Sequence, residues 1–191
     1  FQISFYLNSI NENQNNLYSK IEIFKTTLNN TNRIYLKNID SYKNFNNTYN
    51  SVSEIDNIKE YDDRFKPLAE KNKRLHQKND LEKIKFNTLE LDVNNVSKDI
   101  KNLITEEFKT LEEAEKYSEI ISNNLNLVEN SIFKIQEILR EITSIDENIN
   151  SNLFNLNDLV KQVKITNTQS QIFKLQIKEL EDKLKVVEKK N

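Results

Sequence analysis

The sequence contains no glycine, cysteine, methionine or tryptophan, and it has a single proline. Glycine adopts positive φ without steric cost, so its absence disfavours tight hairpins and loops that approach phosphate closely. The nucleotide-binding patterns GxGxxG and GxxxxGK[ST] cannot occur in such a chain. Without cysteine there is no disulfide framework, no thiolate nucleophile and no cysteine-bound zinc. These absences disfavour the common classes of nucleotide-dependent and thiol-dependent enzymes.

Histidine is almost as scarce, because His76 is the only one. A general base needs a partner and a pocket, and a metal site needs several ligands. A di-metal helical bundle needs two Glu-x-x-His pairs, which one histidine cannot supply. We expect His76 to be an exposed surface residue. We predict a protein that is not an enzyme, with no catalytic residues, no metal site and no cofactor.

The sequence also lacks a marked excess of positive or negative charge, since the net charge is −2 with 30% charged residues. Such a mixed surface is not typical of nucleic-acid binding, so we expect no nucleic-acid partner. No segment approaches the ~20 apolar residues that span a bilayer, and no signal peptide is visible. The chain begins at Phe1 and has no methionine, so we expect a fragment of a larger protein.

What the sequence does contain is a long heptad pattern. From Ile58 to Val187, apolar residues recur at alternating spacings of three and four without a phase slip. A first block from Ile3 to Val52 follows the same rhythm. This pattern keeps one face of a helix against a partner helix. We therefore predict an all-α fold, an elongated bundle of long heptad-patterned helices with coiled-coil character, forming one segment over residues 1–191.

The two blocks are out of phase with each other. The step from Val52 to Ile58 is six residues, which breaks the heptad phase. Proline is tolerated in the first turn of a helix but not in its interior. We therefore predict a hinge or turn near residues 53–66, with a helix beginning near Pro67.

Polar residues interrupt the seam at several other places. The polar runs at 122–126 and 146–152 are the next best candidates for breaks, although the continuous phase also fits a kink or an unbroken helix. Gln14, Thr31 and Asn38 interrupt the seam of the first block, and we interpret Asn72, Asn79 and Glu82 together as a weak point of the second.

The width of the apolar stripe changes along the chain. From Ile104 to Val160 a third position in each heptad is mostly apolar, which is typical of a helix buried against more than one neighbour. After Val160 that position is polar, so we expect the C-terminal helix to project from the bundle as a two-stranded seam. The narrow seams at Leu17–Val52 and Phe173–Val187 predict a homodimer through coiled-coil contacts.

One basic cluster stands out near the proline. It is a candidate receptor-binding patch for acidic partners such as sialylated glycans or anionic headgroups, and it consists of Arg64, Lys66, Lys71, Lys73, Arg74 and Lys78. The simpler interpretation is a solvated helix face, since acidic residues dilute the run: Asp62, Asp63, Glu70 and Asp80.

The composition and heptad pattern of the sequence resemble those of a known family. About one residue in six is asparagine, and lysine and isoleucine are also heavily used, far from the average composition. This heptad-patterned sequence, rich in Asn, Lys and Ile, resembles the reticulocyte-binding-like family of large rhoptry proteins of malaria parasites. The stretches that carry the resemblance are Tyr49–Tyr61, Leu111–Ile120 and Ile132–Ile142.

The resemblance implies an extracellular, non-enzymatic adhesin segment that binds an erythrocyte surface receptor, a protein or a sialoglycan, during host-cell invasion. It also implies secretion through the rhoptry, an apical organelle, to the merozoite surface. Some family members carry cysteines that are missing here, which leaves open whether the segment is the binding module or a neighbouring stalk. No family binding residue maps onto a position of this chain. The alternative is a structural coiled-coil rod or tether with no receptor-binding role.

Overall fold

The fold is all-α, as predicted. The structure, a computed structural model, describes residues 2–104 and 110–190, with the side chains of 102–104 left out. In these ranges it has three long helices and no strand: α1 Gln2–Ser51, α2 Asp62–Ile104 and α3 Leu111–Lys190. Ile104, where the broad apolar stripe of the sequence analysis begins, lies outside the described side chains.

The chain packs as two compact units, and all three helices contribute to both. Unit 1 consists of Phe1–Ile39 and His76–Glu147, and unit 2 of Asp40–Leu75 and Asn148–Asn191. The sequence predicted one segment over the whole chain, and it contained no signal for this division.

Unit 1 is a three-helix bundle built on the predicted seams. Its buried core takes residues from all three helices: Leu17, Ile21, Phe24 and Leu28 of α1, Phe86, Leu89, Val93, Val96 and Ile100 of α2, and Val128, Ile135, Ile138 and Ile142 of α3. The seam of α1 from Leu17 to Leu28 is therefore covered by the chain's own helices.

Unit 2 has its own core beside the turn between α1 and α2. The core side chains are Phe45, Val52, Phe65, Leu156 and Val163. The third apolar position of α3 is half-buried in both units, at Leu125 and Ile132 in unit 1 and at Leu153 and Val160 in unit 2. In each unit the broad stripe therefore faces more than one neighbouring helix, as its width predicted.

The turn between α1 and α2 lies where the heptad phase breaks. Two short 3₁₀ turns, Val52–Glu54 and Ile58–Tyr61, flank Asn57, which has φ 60°. Asparagine is one of the few residues other than glycine that adopt this left-handed conformation, and the chain has no glycine. The side-chain nitrogen of Asn167 on α3 donates a hydrogen bond of 2.8 Å to the backbone oxygen of Asp56, which attaches the turn to α3.

The start of α2 differs from the prediction. The helix begins at Asp62, five residues before Pro67, so the proline lies inside the helix. Proline has no N–H, so the backbone oxygen of Asp63 lacks its usual partner four residues ahead. Both residues are exposed. Solvent can therefore hydrogen-bond that oxygen, which makes the proline tolerable in the second turn.

α3 runs without interruption through 122–126 and 146–152. The sequence analysis left a break, a kink or an unbroken helix open at these two runs, and the structure has the unbroken helix. The heptad pattern did not predict, however, that α3 begins at Leu111. Thr110 caps α3, because its hydroxyl oxygen accepts a hydrogen bond of 3.2 Å from the backbone N–H of Glu113.

Candidate binding surfaces

Five of the six predicted patch residues lie on α2 in unit 2, and all five are exposed: Arg64, Lys66, Lys71, Lys73 and Arg74. Residues seven apart lie on the same side of a helix. Arg64 and Lys71 therefore share one flank of α2, and Lys66 and Lys73 share the other.

An acidic row separates these two flanks. Asp63 and Glu70 are also seven residues apart, and a turn of 100° per residue places them between the basic pairs on the outward side. The ammonium nitrogen of Lys66 lies 3.7 Å from a carboxylate oxygen of Asp62. The surface of unit 2 thus presents alternating charges along α2 rather than one continuous basic patch.

The sixth residue, Lys78, lies in unit 1 and is exposed there. Near it, Asp80 lies between two other side chains. Its Oδ1 accepts a hydrogen bond of 3.0 Å from the Tyr35 hydroxyl, and its Oδ2 lies 3.7 Å from His76 Nε2. His76 is half-buried rather than fully exposed, contrary to the prediction.

Tyr35 connects α1 to α2 in this region. Partial burial, the hydrogen bond to Asp80 and the negative charge of that carboxylate raise the pKa of Tyr35 above its ordinary value of about 10. The hydroxyl therefore stays protonated at physiological pH and keeps donating to Asp80. Lys83 lies over the aromatic rings of Tyr35 and Phe86. Its Nζ is 5.2 Å from the Tyr35 ring centroid and 4.5 Å from the Phe86 ring centroid.

The buried polar layer beside Tyr35 is the feature that sequence reasoning misread. Asn38 donates hydrogen bonds of 2.9 Å to Asn79 Oδ1 and 3.0 Å to the backbone oxygen of Ile142, and Asn79 donates one of 3.3 Å to the backbone oxygen of Tyr35. Both asparagines are fully buried. Asn38 was interpreted as an interruption of the first seam and Asn79 as part of a weak point of the second, but together they join all three helices. Their position in the heptad was visible in the sequence, whereas their pairing was not.

A groove of about 580 Å³ runs between α2 and α3 in unit 1. Apolar and charged side chains of both signs line it: Glu82, Ile84, Lys85, Thr88 and Leu89 of α2, and Lys134, Glu137, Ile138, Arg140 and Glu141 of α3. Ile84 is well exposed at its edge. The groove is open to solvent.

The end of α3 presents an apolar face without a partner in the described chain. We call it the C-terminal stripe, and it consists of Phe173, Ile177, Leu180, Leu184 and Val187, each more than half exposed. Every residue from 171 to 190 is exposed. The narrow seam predicted from the sequence is thus uncovered here, in contrast to the seam of α1.

Two searches of the described residues bear on function. No group of three or more His, Cys, Asp or Glu side chains within 2–104 and 110–190 is placed to hold a metal ion. None of the three helices, over the same residues, is long and apolar enough to cross a membrane.

Comparison with known proteins adds no identification. Neither family models, nor curated proteins, nor solved structures give a significant match to this chain.

Proposed function

We propose that this chain is a non-enzymatic adhesin segment of a malaria-parasite invasion ligand, which contacts a red-cell receptor through exposed helix faces. Its support is the resemblance of the Asn-, Lys- and Ile-rich heptad sequence to the reticulocyte-binding-like family. The receptor is a red-cell surface protein or sialoglycan. The location that follows from the proposal is the rhoptry and then the merozoite surface.

The observation that carries the proposal is the exposed charged face of α2 in unit 2. Lys66, Lys71 and Arg74 are exposed there beside Asp63 and Glu70. Red-cell surfaces are acidic, so exposed cations increase the rate of encounter and make binding sensitive to salt. Because carboxylates lie among the cations, we expect a few specific ion pairs rather than attraction by net charge.

A red-cell binding assay tests the proposal. The variant Lys71→Glu/Lys73→Glu/Arg74→Glu should reduce binding at low and at physiological salt, while circular dichroism shows unchanged helix content. Loss of three exposed cations removes steering and any ion pairs with the receptor.

The matched control reverses three exposed lysines elsewhere on the helices, Lys98→Glu/Lys101→Glu/Lys116→Glu. It changes the net charge by the same amount and should bind like the unmodified chain. Equal losses in both variants would show that only net charge matters and would remove the patch from the proposal. Unchanged binding by the first variant would have the same consequence.

The alternative function is a structural coiled-coil rod or tether with no receptor-binding role. The C-terminal stripe favours it, since an exposed heptad seam is a surface for another helix. Absence of red-cell binding by the unmodified chain would support this alternative over the adhesin.

A further inference from the structure

One apolar face of α3 continues from the core of unit 2 into solvent. Leu156 and Val163 belong to this heptad seam, and they are buried against residues of α1 and α2, among them Phe45 and Phe65. From Phe173 onward the same spacing continues, but the side chains are exposed. The chain thus covers the first part of the face and leaves the last part free.

We infer that the C-terminal stripe pairs with the same stripe of a second copy, as an antiparallel two-stranded coiled coil. This goes beyond the proposed function, because it holds for an adhesin and for a rod alike. It concerns a seam on the far part of α3 and not the charged face of α2.

The size of the stripe is sufficient for a dimer. Five seam side chains, each more than half exposed, offer about 100 Å² of apolar surface each when covered. Two copies then bury about 1,000 Å² from the seam alone, which is about the lower limit for a biological interface. Flanking side chains add to this area.

The orientation follows from what already occupies the face. As far as Val163, α1 and α2 of the same copy lie on the side of α3 that carries the seam. In a parallel pair, the partner's α3 before the stripe would have to pass through that space. In an antiparallel pair, it runs away from α1 and α2, so no helix has to leave the seam.

Charge selects the register. With Ile177 opposite Leu180 of the partner subunit, the geometry places Lys174 beside Glu181 of the partner subunit, twice by symmetry. Sliding the helices by one heptad, so that Ile177 meets Val187 of the partner subunit, would place Lys174 beside Glu188 of the partner subunit. It would also place Glu181 beside its own copy and Lys183 beside its own copy, which offsets that attraction. Like charges at these flanking positions destabilise a coiled coil, so the first register is favoured.

Sedimentation equilibrium with a matched pair of variants tests the interface. Leu180 in the stripe and Leu175 on another side of α3 are 65% and 64% exposed, so neither substitution disturbs a core. The unmodified chain should dimerise, Leu180→Glu should weaken the dimer at least tenfold, and Leu175→Glu should not. A monomer at all concentrations would overturn the inference and leave the stripe to another protein. Greater loss with Leu175→Glu would assign the dimer to a different face.

A distance measurement in the unmodified seam tests the orientation. The chain has no cysteine, so a spin label on Lys189→Cys is unique in each copy. In the inferred register, residue 189 lies level with residue 168 of the other helix, which gives an axial separation of about 32 Å. A parallel dimer would bring the two labels within about 20 Å, the width of a helix pair. A short distance would overturn the antiparallel arrangement.

Discussion

At the residue scale, buried polar groups align the helices of unit 1. The hydrogen bond between Asn38 and Asn79 forms in only one alignment of α1 with α2. Aliphatic side chains, by contrast, can pack in several alignments of two helices. The antiparallel pairing continues toward the N-terminus of α1 through Tyr35 with Asp80 and Lys83 with Asn32. A polar pair in an apolar seam thus selects one alignment at some cost in stability.

A double-mutant cycle at Asn38 and Asn79 measures this pairing. Asn38→Leu leaves the side-chain oxygen of Asn79 buried without its donor, which should cost about 1–3 kcal/mol in the free energy of unfolding. Asn38→Leu/Asn79→Leu removes both polar groups and should be more stable than the sum of the single effects predicts. Urea denaturation of the four proteins gives the coupling. Additive losses would show that the two side chains act independently.

At the element scale, the turn between α1 and α2 depends on one residue in an unusual conformation. Asn57→Ala should lower the free energy of unfolding by about 1 kcal/mol, because a Cβ without a hydrogen-bonding side chain disfavours the left-handed region. Asn57→Gly should be neutral or stabilising, since glycine adopts this φ without strain. Urea denaturation of both variants checks the order. If alanine were tolerated as well as glycine, backbone strain would not be the determinant at this position.

The same elements show why the sequence predicts some features and not others. The turn at residues 52–61 was predictable because a six-residue step breaks the seam there. The start of α3 at Leu111 was not, because the heptad phase of the sequence continues past it. Periodicity detects a helix boundary only when the boundary shifts the phase.

The sequence likewise predicts some of the candidate surfaces and not others. The C-terminal stripe could be predicted, since its third heptad position turns polar after Val160 and only two seam positions remain. The acidic row of Asp63 and Glu70 follows from helical geometry once the start of α2 is known. The α2–α3 groove could not be predicted, because it depends on which helices become neighbours, and heptad spacing does not specify the partner of a seam.

At the scale of the whole molecule, tertiary contact is distributed unevenly over the chain. In unit 1 all three helices bury a shared core, and in unit 2 the core ends at Val163. From residue 171 to residue 190 every residue of α3 is exposed. A helix without tertiary contacts depends on its intrinsic propensity, which is marginal in water for most sequences. Residues 166–171, Thr-Asn-Thr-Gln-Ser-Gln, include several poor helix formers.

The helix content of the protein should therefore depend on its concentration. In dilute solution the last part of α3 lacks a partner, and pairing with a second copy supplies the contacts that stabilise it. We expect the ellipticity at 222 nm to increase with concentration by up to about a tenth, the share of residues 171–190 in the chain. Leu180→Glu should remain at the lower value throughout, and Leu175→Glu should follow the unmodified protein. A constant ellipticity across the range in which sedimentation detects the dimer would show that the stripe is fully helical before pairing, and that association orders no part of the chain.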